Sequence, residues 1–265
     1  MLLKYNIFEL SNALKPFAAE ELLKDPKIDS VIYFDCDLLI YSSFEAVEKV
    51  LQEHEIVITP HFLTPLPLDG LLLDEKAFLN TGVYNGGFFA LKKGEETFKF
   101  LEWWRSRLQE YCFVDFSAGL FVDQIWLNFV PLYFKNVKVL QNLGYNVAYW
   151  NLHEREISSS NGEYFVNSSD KLVFFHFSGF DFSKPDTLSK YQSRYDFSSR
   201  PDVTKLFKDY NQKVLSNKFN FYRSLPCFYV LQKQRQTKSF GYIKNSFSTG
   251  KYYISLKKRL RRLLD

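Results

Sequence analysis

An apolar run, Val31-Ile32-Tyr33-Phe34, stops at Asp35-Cys36-Asp37. Within a continuous strand the two carboxylates would point to opposite faces, but at a strand end, where the backbone leaves the pleat, they can converge. Converging carboxylates repel each other unless a cation lies between them, and oxygen donors of this kind suit a hard divalent ion such as Mg²⁺ or Mn²⁺. The same tripeptide also fits an ordinary acidic turn, and its spacing alone leaves both readings open.

Two enzyme classes place Asp-x-Asp after a buried strand. Phosphotransferases of the haloacid dehalogenase type normally carry Thr or Val two residues after the second Asp, where this chain has Leu39, which disfavours them. Further segments point to the other class. Asn80-Thr81-Gly82-Val83 followed by Asn85-Gly86-Gly87-Phe88, then Asp123-Gln124 with Leu127-Asn128, then His176-Phe177-Ser178-Gly179 with Lys184-Pro185, stand in that order along the chain. Together they resemble the signatures of family-eight glycosyltransferases of the GT-A fold, over residues 15 to 215 or so. The strings from Gly144 to Arg155 and from Phe174 to Phe180 are similar to bacterial glycosyltransferases.

The resemblance implies a nucleotide-sugar donor whose diphosphate binds a divalent cation, Mn²⁺ or Mg²⁺, held by Asp35, Asp37 and His176. It implies Asp123 and Gln124 as catalytic-site residues, Asn80, Asn85 and Gly179 at the donor sugar, and Lys184 as a point charge on phosphate. His61, Asn146, Trp150 and His153 are secondary sugar-contact candidates. Plainer readings stand beside these: His176 as a core histidine, Asp123 as the cap of a helix beginning near Gln124, and the aromatics as core. Lys184 departs from the family pattern, lying five residues after Gly179 rather than three. By resemblance the reaction retains anomeric configuration, and the acceptor is a glycan or lipid-linked glycan of a bacterial cell-surface polysaccharide. Strand-helix units that bind the nucleobase are expected ahead of the Asp-x-Asp, so by this comparison the fold is N-terminally short. The competing expectation is a catalytically incomplete remnant that binds glycans or partners, with an unpaired sheet edge as a docking surface.

The elements that must position these residues are legible in the periodicity. Pro16 suits the first turn of a helix running through Leu22 and Leu23 to Asp25-Pro26. Strands are predicted over 31–34, 56–58, 83–91, 137–140 and 172–177, with Gly86 and Gly87 marking a close approach. Glu95 and Glu96 open a helix with Phe98, Leu101, Trp104 and Leu108 on its apolar face, and Val203 to Val214 keep helical spacing. The Pro- and Leu-rich stretch 60–81 reads as a long loop. Alternating strands and helices predict an α/β fold with a mixed, GT-A-like sheet flanked by helices and its chemistry at strand ends.

The 265 residues are 46% hydrophobic and 18% aromatic, which supports a sizeable core and excludes disorder and low complexity. Three widely spaced cysteines fit neither a disulfide framework nor a zinc site, and a reducing, cytoplasmic setting is the simplest reading. No apolar run is long enough to span a bilayer. The net charge of +4 hides an asymmetry, with +11 in residues 218–265 and −7 before them. Residues 1–217 are therefore read as the catalytic domain and 218–265 as a basic, aromatic-rich segment. Tyr253, Leu256, Leu260, Leu263 and Leu264 alternate with Lys and Arg there, the pattern of an amphipathic helix on an anionic membrane. That predicts a peripheral protein at the inner membrane face; nucleic-acid binding competes less well.

Overall fold

A computed structural model describes residues 1 and 4–232 of the chain. In order, the elements are α1 (Ile7–Ala13), α2 (Lys15–Lys24), β1 (Ser30–Phe34), β2 (Leu38–Ile40), α3 (Glu45–Glu53), β3 (Ile56–Pro60), α4 (Glu75–Thr81), β4 (Tyr84–Lys92) and α5 (Glu95–Tyr111). There follow β5 (Val114–Asp115), β6 (Leu120–Phe121), α6 (Val130–Tyr133), β7 (Val137–Val139), β8 (Ile157–Ser160), β9 (Glu163–Val166), β10 (Asp170–Lys171), β11 (Phe174–His176), α7 (Thr204–Ser216) and α8 (Phe219–Ser224). The fold is mixed α/β. Its main sheet runs β1-β4-β3-β7, antiparallel except for the parallel pair β3/β7, with helices on both faces.

Strand β4 shows why this sheet is the organising layer. Its alternate residues Phe89 and Leu91 enter a core with α1, α2 and α5, while Phe88 and Ala90 enter a second core with α3, Tyr145 and Phe174. A strand buried on both faces reads as a continuous apolar run, and each such side chain removed from water contributes roughly 1.5–3 kcal/mol. A third core packs β8, β9 and β11 against α7. Strand β1 closes one end of the main sheet among the described residues, with Val31 and Tyr33 packed on one core and Ile32 and Phe34 on the other.

Helices α2, α5 and α7 and strands β1, β3, β4, β7 and β11 form where periodicity places them. Two expectations are corrected. Residues 75–81 of the supposed loop form α4, whose amide end is capped by the Asp74 side chain accepting from Ala77 N. On α5 the inward residue is Phe100, fully buried against Trp104, whereas Phe98 is exposed. No described helix is long and apolar enough to cross a membrane. Of the basic segment, α8 presents Phe221 and Tyr222 to solvent, and the amphipathic pattern from Tyr253 to Leu264 lies outside the described residues.

Candidate functional site

Asp35 continues β1, its N–H donating to Gly87 O at 2.9 Å. The chain turns at exposed Cys36, and Asp37 leads into β2, which leaves the main sheet to pair with β11 in the register Leu38↔His176. That change of partner is what brings the two carboxylates and the imidazole together. His176 Nε2 lies 3.0 Å from Asp37 Oδ1, and one ligand atom from each of Asp35, Asp37 and His176 falls within 4.8 Å of the others. His176 is buried, while the two carboxylates remain partly open to solvent. Burial pushes the Asp37 pKa up, but the hydrogen bond and charge of His176 outweigh it and hold the carboxyl below its ordinary value. Two carboxylate oxygens and one imidazole nitrogen are a donor set suited to Mn²⁺ or Mg²⁺.

The paired glycines of β4 are a steric requirement of this convergence. A Cβ on Gly87 would lie 2.7 Å from His176 Cε1 and 2.9 Å from Asp35 Oδ2, and one on Gly86 would lie 2.8 Å from Asp123 Oδ2. The close approach predicted at these positions comes from the candidate site residues themselves.

Lys15, which sequence reasoning missed, lies beneath the carboxylates. Its side chain is 4% exposed, and Nζ lies 2.9 Å from Asp123 Oδ2 and 3.2 Å from Asp35 Oδ1 while donating to Gly86 O at 2.9 Å. Burial disfavours its charge, but Asp123 and Asp35 outweigh burial and raise its pKa, so the ammonium stays protonated. Tyr33 OH donates to the same Asp35 oxygen at 2.7 Å, leaving Oδ2 on the His176 side. One signal could have exposed Lys15: a cation at the first position of a helix sits at the unfavourable end of the dipole and asks for another reason to be there.

Asp123 precedes a 3-10 turn over Gln124–Phe129, and its side chain makes no capping bond to that turn; the carboxylate is committed to Lys15 instead. Gln124 accepts from Gly86 N at 3.0 Å and donates to Thr81 O at 3.0 Å, joining α4 to β4. Asn85 accepts from Gly87 N at 2.8 Å and pairs with His61 Nε2 at 3.1 Å. His61 Nδ1 is 3.0 Å from Val83 O, an acceptor, so Nδ1 carries the proton and Nε2 accepts from Asn85. His61 is 3% exposed, and burial drives its pKa down to about 3, so it is neutral at neutral pH.

Asn146 is fully buried between Pro60 O and His176, and Trp150 packs edge-on against both His61 and His176. His153 Nε2 donates to Thr64 O at 3.0 Å, and neighbouring Glu154 accepts from Leu63 N, Thr64 N and Thr64 Oγ1, so this pair holds the loop that follows β3. The far end of that loop is tied by Ser193, whose N–H donates to Leu72 O, and by Arg194, which donates to Leu73 O. Three candidates stand apart from the trio's contacts. Asn80 is exposed on the last turn of α4, and Lys184 is exposed in a loop after β11. Gly179, at φ +74°, is packed against Ser189 and Tyr191.

No family model matches the chain, and no solved structure matches it. Two curated proteins of Bacillus subtilis (strain 168) do: the uncharacterized protein YfnF is 27% identical over 168 residues, 63% of this chain and 55% of that protein. The uncharacterized protein YfnD is 27% identical over 159 residues, 58% of this chain and 49% of that protein. The chain thus spans about half the length of the curated relatives it matches.

Proposed function

We propose that the protein is a divalent-cation-dependent glycosyltransferase with a GT-A-like fold. It moves a sugar from a nucleotide-sugar donor to a glycan or lipid-linked acceptor, with retention of configuration, in assembly of a bacterial surface polysaccharide. The observation that carries the reading is the Asp35, Asp37 and His176 trio, with ligand atoms within 4.8 Å of one another at the end of a sheet strand. A Mn²⁺ or Mg²⁺ ion held there would offset charge on the departing diphosphate. Lys15 holds Asp35 and Asp123 in place and compensates their charge, and Gln124 and Asn85 fix the β4 backbone on which the donor sugar would rest. The +11 charge of residues 218–265 supports a peripheral position on an anionic membrane. Sedimentation with anionic vesicles that is unchanged on deleting residues 251–265 removes that part of the reading.

The test is Mn²⁺-stimulated hydrolysis across a panel of nucleotide sugars. Activity is expected in the full chain and is expected to vanish in Asp37→Ala and in His176→Ala. Hydrolysis that survives both substitutions overturns the site assignment. If calorimetry detects no binding of any donor, the protein is instead a glycan-binding or interaction module.

A further inference from the structure

We infer that Asn146 is a positioning residue that dictates which nitrogen of His176 faces the two carboxylates. The inference rests on the reading of Asp35, Asp37 and His176 as a cation site and assigns its imidazole donor atom. Asn146 is fully buried and sits in the left-handed region at φ 55°, a conformation that Asn adopts more readily than most residues. Its Nδ2 donates to Pro60 O at 3.3 Å. A carbonyl oxygen only accepts, so the amide has one orientation, and Oδ1 is the atom that stands 3.4 Å from His176 Nδ1. Oδ1 also only accepts, so it can be satisfied by His176 only with the imidazole proton on Nδ1, the tautomer that frees Nε2 to bind a cation and that competes with an Nε2–H bond to Asp37 until the ion is in place.

The lone pair of Nε2 is then directed at Asp37 Oδ1, 3.0 Å away. Two acceptors at that separation repel unless a proton or a metal cation lies between them, and a divalent ion bound by Nε2 and both carboxylates removes the conflict. The surroundings keep the ring from turning to escape it. Trp150 packs edge-on at 5.0 Å, the Gly87 backbone covers Cε1, and His176 N donates to Val147 O at 2.7 Å, which ties β11 to the residue after Asn146. Outer partners of metal-bound imidazoles ordinarily act in this way.

Nitrogen-15 NMR of the full chain at about pH 8.5, roughly two units above the ordinary imidazole pKa, reads the tautomer directly. In the Mg²⁺-saturated chain His176 is expected with its proton on Nδ1; a proton on Nε2 there overturns the inference without any substitution. Asn146→Gly keeps the left-handed backbone free of strain and deletes only the amide. It is expected to raise the Mn²⁺ dissociation constant measured by calorimetry by about 10–100-fold and to release the tautomer preference. Wild-type Mn²⁺ affinity in Asn146→Gly overturns the inference. If the wild type itself binds neither Mn²⁺ nor Mg²⁺, the cation site fails and the inference fails with it, whereas wild-type binding that Asn146→Gly leaves intact removes the inference alone.

Discussion

The two walls of the candidate site are built from opposite electrostatic materials. On the α2 side, Lys15, Asp35 and Asp123 place three charges in a space where the lysine and one of the acids are almost wholly buried. On the other side, His61, Asn85, Asn146 and Asn151 form a neutral network whose groups are satisfied by one another and by backbone carbonyls; Asn151 Nδ2, for instance, reaches both His61 O and Asn146 O. Removing one member of a buried ion pair strands a charge, whereas losing one neutral hydrogen bond costs about 1 kcal/mol. The charged wall therefore concentrates vulnerability, and the neutral wall sets orientation at lower stakes.

The largest effect that would break this contrast is at Lys15. Lys15→Met is expected to lower unfolding free energy in urea by about 3–5 kcal/mol, and adding Asp123→Asn is expected to recover much of it. A cost below about 1 kcal/mol for the single change would mean that the wall is not held by charge. The glycines sharpen the contrast residue by residue. Gly86→Ala and Gly87→Ala should each cost about 1–3 kcal/mol through overpacking, but only Gly87→Ala should weaken Mn²⁺ binding, because its Cβ meets His176 and Asp35 while that of Gly86 meets Asp123. Equal losses of Mn²⁺ affinity would blur the two walls into one.

The smallest effect belongs to the neutral wall and is read by pH. His61 has a folded pKa of about 3 against an ordinary value near 6.5, so the unfolded chain binds the extra proton first. Its contribution to stability is therefore complete above about pH 6.5 and is lost progressively as pH falls toward 3, amounting to about 1.4 kcal/mol by about pH 5.5. Stabilities of wild type and His61→Gln between about pH 7 and 5.5 should converge on acidification; parallel profiles would mean that the imidazole takes up a proton as readily in this wall as in the unfolded chain.

Much of the sheet and part of the site were legible because local rules governed them. The strand ending at Asp35, the close approach at Gly86 and Gly87 and the helix after Glu95 each follow from pattern over a few residues. Lys15 was hardly legible: its partners lie 20 and 108 residues away, and the one local signal, a cation at the first position of a helix, names no partner. Helix α4 was hidden by the prolines and leucines before it, although Asp74 carried its capping signal. The β8/β9 hairpin was missed for a different reason. Its turn, Asn161-Gly162, has both residues at positive φ and is a strong hairpin signal, but the serines of β8 masked the strand. The roles of His61 and Asn146 depended on which carbonyl each side chain meets, which no spacing encodes.

The loop after β3 has a consequence for how such sequences vary. It is knotted at Leu63 and Thr64 by Glu154 and again at Leu72 and Leu73 by Ser193 and Arg194, while Leu68 between the knots is 97% exposed. Insertions and deletions beside Pro67 and Leu68 leave both knots and the Arg194–Asp69 ion pair untouched, whereas one residue gained or lost between His61 and Thr64 shifts the Leu63 and Thr64 amides out of step with Glu154. Length drift across orthologues should gather at that crest, and the short stem below it should hold its count.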